Sequence, residues 1–230
     1  MRHFFPRFVI SVTAALLGVT PVHAQNGLLG NLAARLRASA PSLNGHVLEL
    51  ALDAMQCARA NGMPAVDRLA VIDYSLPSTK PRLWVFDLDK ARLLFQELVA
   101  HGRNSGDNLA TAFSNRPESR ESSLGLFRTG GTYQGSNGYS LRMDGLEPGF
   151  NDNARERAIV MHGAPYVNDG MIGKLGRLGR SWGCPAVRLG IARPMIDALK
   201  GGQLLFAYYP DNQWLRSSHF LNCRTQVAAR

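Results

Sequence analysis

From residue 43 onward the apolar positions fall into short, closely spaced runs. Leu43–Asn61 sets Val47, Leu48, Leu52, Met55 and Ala58 on a stripe of helical period, closed by Gly62 and Pro64, and predicts a helix. Strand-length runs follow at Arg68–Ser75, Arg82–Leu88 and Ala91–Ala100, with Pro77, Pro81 and the Asp89-Lys90 pair between them. Further runs lie at Ser123–Thr129, Tyr139–Met143, Arg157–His162 and Gln203–Tyr209. Pro194–Lys200 reads as a second helix, with proline in its first turn and Gly201 just past its end. Gln25–Ser42, rich in Gly, Ala, Asn and Ser, reads as a loose or partly helical lead-in. Seven short strands and two helices, with no internal repeat and no βαβ alternation, predict a mostly β (α+β) domain of sandwich or barrel type. Gly102–Asn115 is polar and long enough to be a functional loop.

The first 24 residues follow a different pattern. Arg2 and Arg7 give a basic start, Phe8–Val19 is an apolar run, and Val22-His23-Ala24 ends on a small residue. That order is expected of a cleavable export signal, and the run is too short for a membrane span. Cleavage after Ala24 leaves 206 residues and no later segment apolar enough to cross a bilayer. The expectation is an exported protein of the periplasm or cell envelope.

Composition changes the picture in two ways. The 26 Lys+Arg outnumber the 17 Asp+Glu, for a net +9, or +7 without the leader. An exported basic chain with no aromatic-basic stripe suits anionic wall polymer or membrane headgroups, and nucleic acid is not expected as a partner. Three cysteines allow one bridge and leave one thiol.

The densest chemistry lies at His162-Gly163 and at Gly179-Arg180-Ser181-Trp182-Gly183-Cys184-Pro185. A reactive cysteine needs a stabilised thiolate and a base within reach. Gly183 lets the backbone turn sharply beneath Cys184, and His162 ends a strand. Lys174, Arg177, Arg180 and Arg188 would supply positive charge for a thiolate and for an acidic substrate. Read from the residues alone, a buried structural cysteine, a satisfied histidine and a solvated basic loop remain open alternatives. The same stretch also spells G-x-S-x-G around Ser181, with Asp197, Asp211 and His219 downstream, but that elbow demands a strand before it and a helix after it. His101 and His162 are isolated, and neither H-E-x-x-H nor C-x-x-C occurs, so no metal site is expected. His101 is a candidate for the same cleft or for bracing its loop; His46 and His219 read as structural or solvated.

At these residues the chain resembles the L,D-transpeptidase (YkuD-like) catalytic domain family, in its divergent murein L,D-transpeptidase branch. The likeness rests on VIDYSLPSTKPRLWVFDL, VAHGRNSGDN, SSLGLFRTGGTYQG, GYSLRMDGLEPGFNDNARERAIVMHGA and GRLGRSWGCPAV, between about Val71 and Pro210. It departs from the more typical pattern at Trp182, where the family has a second histidine, and at Ala186, where it has an arginine; Arg188 follows two residues later. The resemblance implies a YkuD-like mixed β-sandwich or barrel at 67–210, a helical N-terminal segment at 25–66, a short helix after the catalytic loop and a tail at 211–230. It further implies Cys184 as nucleophile, His162 as base, and the Gly183 and Cys184 amides as oxyanion hole. Ser181 would brace the loop, with Trp182, Tyr133, Arg142 and Arg188 toward substrate. The resemblance reserves Cys184 as a reduced thiol and leaves Cys57 and Cys223 as a candidate disulfide. The implied substrate is a peptidoglycan tetrapeptide stem, joined to another stem or to a protein lysine. No cofactor is implied. A carboxypeptidase using water and an inactive wall-binding module are the alternative readings.

Overall fold

The computed structural model describes residues 22–223, with side chains from residue 30 onward. Most of the segment expected to be an export signal therefore lies outside the described residues. Helix α1 (Val22–Ser39) is continuous through the expected loose lead-in, and α2 (Gly45–Ala60) follows. The Asn44 side chain caps α2 by accepting the His46 N–H at 2.9 Å. All five residues of the predicted stripe are buried, together with Ala51, Ala54 and Cys57.

The strands are β1 (Arg68–Asp73), β2 (Leu83–Asp87), β3 (Arg92–Glu97), β4 (Val99–Ala100), β5 (Gly125–Gly135), β6 (Gly138–Gly145), β7 (Val160–Ala164), β8 (Ala186–Arg188) and β9 (Leu204–Tyr208). They form one mixed sheet in the order β3-β2-β1-β9-β5-β6-β7-β8-β4. Pairs β1–β9 and β7–β8 are parallel and the remaining pairs antiparallel. The outermost strands, β3 and β4, are separated in sequence by Leu98 alone. One residue cannot span a flat nine-stranded sheet, so the sheet must curl until its edges nearly meet. The result is the near-barrel β-rich architecture expected, with the edge problem largely removed.

Four expectations are corrected. The run Ala91–Ala100 is two strands on opposite edges, broken at the buried Leu98. The described strands number nine, because two- and three-residue strands such as β4 and β8 leave no periodic signal. The β7–β8 pair is parallel, with helix α3 (Asp169–Leu175) between the two strands in sequence, so a βαβ connection is present after all. The later helix, α4, runs Leu189–Leu199, so Pro194 is internal and its missing N–H leaves the Gly190 carbonyl without a helical donor. A last short helix, α5 (Asn212–Ser217), was not predicted.

The main core joins α2, the sheet and α4, and includes Trp84, Phe86, Phe127, Phe206 and Trp214. Trp214 on α5 donates to the buried Glu147 carboxylate at 2.9 Å, closing one end. A smaller cluster of Leu98, Ala100, Ala164, Val167, Leu178 and Ala186 lies where β7, β8 and β4 meet. It anchors both ends of the 165–185 connection, which carries the conspicuous cysteine.

Candidate active site

The parallel register of β7 and β8 places His162 beside Ala186, two residues after Cys184. Cys184 is the free cysteine of the described residues and is buried, at 8% exposure. Its Sγ accepts the Val160 N–H at 3.4 Å and donates to the Ala158 carbonyl at 3.7 Å. The thiol thus occupies the start of β7, where β8 has not yet begun to pair. His162 is two positions further along the same strand, roughly 6.6 Å at the usual rise. In the described contacts the thiol bonds to backbone and not to the imidazole.

The loop that presents the thiol is tightly determined. Gly183 has φ +116, and a Cβ there would stand 2.7 Å from the Glu121 carbonyl oxygen and 2.9 Å from Ile159 Cδ1. Only glycine fits. The Ser181 hydroxyl accepts the Gly183 N–H at 3.1 Å and donates to the Cys184 carbonyl at 2.6 Å. Ser122 donates to the Gly183 carbonyl at 3.0 Å. The Gly183 N–H is therefore engaged inside the loop, whereas the Cys184 N–H has no acceptor among the described residues. Of the two amides expected to receive an oxyanion, the Cys184 amide is the one free to do so.

Protonation states follow from the partners. His162 Nδ1 lies 3.0 Å from the Gly163 carbonyl, which can only accept, so Nδ1 carries the proton and Nε2 is left as a base. Burial pushes the imidazole below its ordinary pKa, against the opposing Gly163 bond. Burial also pushes the Cys184 thiol up, opposed by the Val160 N–H and by the charge of Arg157. The resting pair is a neutral thiol and a neutral imidazole.

His101 is a brace. Arg82, itself buried, donates to His101 Nδ1 at 2.7 Å, so Nε2 carries the proton toward the Gly106 carbonyl at 3.3 Å. Desolvation, with Arg82 next, depresses His101 to about 4. Its carbonyl accepts the Ser181 N–H at 3.0 Å, fixing the cysteine-bearing loop to residues 101–106.

The profile of the L,D-transpeptidase catalytic domain family matches residues 39–208. The chain belongs to the L,D-transpeptidase catalytic domain family. No curated protein matches it. Among solved structures it is similar to an L,D-transpeptidase from Mycobacterium smegmatis, at 13% identity and TM-score 0.40, over 63% of this chain and 60% of that one. It is also similar to an L,D-transpeptidase from Mycobacterium tuberculosis H37Rv, at 15% identity and TM-score 0.37, over 62% and 58%. A third is an L,D-transpeptidase from Stackebrandtia nassauensis, at 13% and 0.35, over 80% and 92%. The chain spans about 60% of the length of the two mycobacterial structures.

The remaining candidate residues of this L,D-transpeptidase domain fall in distinct places. Tyr133 pairs with Ser140, Ser140 with His162 and His162 with Ala186, so Tyr133 shares a sheet face with the imidazole. Arg142, paired with Val160, lies on that face one row away, its guanidinium 4.2 Å over the Tyr133 ring. Trp182 is 68% exposed at the loop tip, with the Arg120 guanidinium 4.9 Å from its ring centre. Arg188 forms a bidentate pair with the buried Glu97, at 2.8 and 2.7 Å, so its charge is already matched. Arg177 and Arg180 both pair with Asp107. The cation that eases ionisation of the thiol is instead Arg157, at the start of the predicted Arg157–His162 strand. Tyr166, pushed up to about 12 by burial and then by Cys184, was not a predicted site residue. Ser181 has neither a strand before it nor a helix after it, and its hydroxyl is committed within the loop, which excludes the G-x-S-x-G elbow. Cys57 and Cys223 are joined in a disulfide on α2, apart from this site.

Proposed function

We propose that the protein is a cysteine-dependent L,D-transpeptidase of peptidoglycan tetrapeptide stems, exported to the periplasm or cell envelope. The observation that carries this reading is a free thiol on a glycine-determined loop beside a histidine whose Nε2 is left as a base. Attack begins as the Sγ–H turns from the Ala158 carbonyl to His162 Nε2. Cys184 Sγ then adds to the stem carbonyl that follows the L-configured centre of its diamino acid. The Cys184 N–H receives the oxyanion. His162 returns the proton to the departing D-alanine nitrogen as the C–N bond breaks, leaving a thioester. An amine from a second stem attacks the thioester, gives up its proton and releases the thiol. Tyr133 and Arg142 are placed to contact the stem, with the guanidinium available to a carboxylate. Trp182 forms the exposed lip.

Mature protein incubated with tetrapeptide stems is expected to release D-alanine and form a crosslinked dimer, and Cys184→Ala is expected to abolish both. Tripeptide without dimer would make water the acceptor, and transfer to an added lysine peptide would make a protein amine the acceptor. D-alanine release by Cys184→Ala at the wild-type rate would overturn the reading.

A further inference from the structure

Arg157 is a part-buried cation beneath the loop that carries Cys184. Its guanidinium donates four hydrogen bonds, all to neutral oxygens. Nη1 reaches the Ser114 carbonyl at 2.7 Å and Ser123 Oγ at 2.5 Å. Nη2 reaches Ser119 Oγ at 3.0 Å and the Glu121 carbonyl at 2.7 Å. No carboxylate pairs with it among the described residues, although Arg37, Arg68, Arg155, Arg177, Arg180 and Arg188 each have one. A part-buried cation without an anion is costly unless the anion arrives during function.

The chain that carries Arg157 runs directly to the Cys184 sulfur. Ala158, which follows Arg157, offers its carbonyl to the Cys184 thiol, and Val160 offers its N–H to the same sulfur. The segment that Arg157 clamps also supports the loop from beneath. Ser122 donates to the Gly183 carbonyl, and the Glu121 carbonyl is the atom that leaves no room for a Cβ at Gly183. One guanidinium therefore holds the segment beneath the loop that carries the sulfur, and the residue after it meets that sulfur through its carbonyl.

We propose that Arg157 is the counter-charge of the Cys184 thiolate, a positioning residue that lowers the cost of ionising the nucleophile. The inference rests on Cys184 being the nucleophile. Other groups face the sulfur. Tyr74 follows β1, Tyr166 follows β7, and His162 lies along β7; both tyrosines are pushed up by burial, and Cys184 adds to that rise. Glu121 acts on Arg157 without forming an ion pair. Burial depresses Arg157 itself, and Cys184 is first among the charges opposing that fall. Arg157 is the one cation acting on a sulfur otherwise surrounded by neutral groups.

Iodoacetamide alkylation reads the thiolate directly, and with Cys57 and Cys223 bonded Cys184 is the free thiol among the described residues. Below the thiol midpoint the rate is proportional to the thiolate fraction. Arg157→Met is expected to slow alkylation about tenfold at pH 7.5 and to move the midpoint of the pH profile up, at an unchanged rate for the fully ionised thiol. Arg157→Lys is expected to stay within about threefold of the wild type. Should Arg157→Met not fold, Ser119→Asp keeps the arginine and gives it a carboxylate, and the same upward shift is expected. An unmoved midpoint in folded Arg157→Met, or in Ser119→Asp, overturns the inference. Because the assay needs no stem peptide, an absent transpeptidase reaction with a normal Arg157 effect would fault the proposed function and leave this coupling standing.

Discussion

At the scale of single residues, the site depends on a few positions whose alternatives are sterically or electrostatically closed. Gly183→Ala must relieve a left-handed φ and a 2.7 Å contact with a backbone oxygen. It is expected to cost about 1–3 kcal/mol in chemical unfolding and to suppress acylation, because the thiol moves with the loop. His101 predicts a pH effect. Its folded pKa of about 4 lies below the ordinary 6.5, so the unfolded chain binds the extra proton first as pH falls. The stability that neutral His101 contributes is complete above about pH 6.5 and is lost between 6.5 and 4, to a total of about 3 kcal/mol. Urea melts of His101→Asn should show a correspondingly flatter slope across that window, and an unchanged slope would show that His101 is not the group titrating. His162 gives the kinetic counterpart. The proposed function needs its base form, and burial depresses its pKa, so the acid limb of kcat/KM is expected below pH 6.5. That Ser181, Gly183 and Cys184 share one loop was legible because they lie in one short sequence window. Arg157 was not, since nothing in the local sequence shows that a guanidinium lacks an acid partner. Arg188 misled for the converse reason: its partner, Glu97, is 91 positions away.

Among elements, the parallel β7–β8 pair does the positioning. It sets His162 beside the end of the Cys184 loop, and the small cluster around Leu98, Leu178 and Ala186 holds that pair to β4. Arg188 on β8 bonds to Glu97 at the end of edge strand β3, so this ion pair ties that edge to the strand beside the opposite edge. Arg188→Ala is expected to lower stability by about 1–3 kcal/mol by leaving a buried carboxylate unpaired, with acylation of Cys184 changed less than twofold. A large loss of acylation at normal stability would restore a substrate role to Arg188. Helix α2 was legible from its helical stripe, and strands such as β1, β2 and β9 as continuous apolar runs between turn residues, which the sheet buries almost throughout. The short β4 and β8 were not, since two or three residues cannot carry a period. Pro194 reads as a first-turn residue and so predicts a shorter helix than α4, which begins at Leu189 and carries the proline mid-helix.

For the whole molecule, a near-closed sheet is tied to its flanking helix by one covalent link. The Cys57–Cys223 disulfide joins α2 to the end of the described chain across 166 positions. Its removal by Cys57→Ser with Cys223→Ser is expected to cost about 4–5 kcal/mol in the chain-entropy model while leaving Cys184 reactive. A double variant as stable as the wild type would mean that packing of α2 alone holds the two ends. No helix among the described residues is long and apolar enough to cross a membrane. The central claim is that Cys184 carries the acyl group, and intact-protein mass spectrometry after brief exposure to tetrapeptide stems tests it most directly. The account predicts a mass gain equal to the stem less D-alanine, located on the Cys184 peptide and discharged by neutral hydroxylamine. An adduct on another residue, or turnover of stems with Cys184 alkylated, would contradict it.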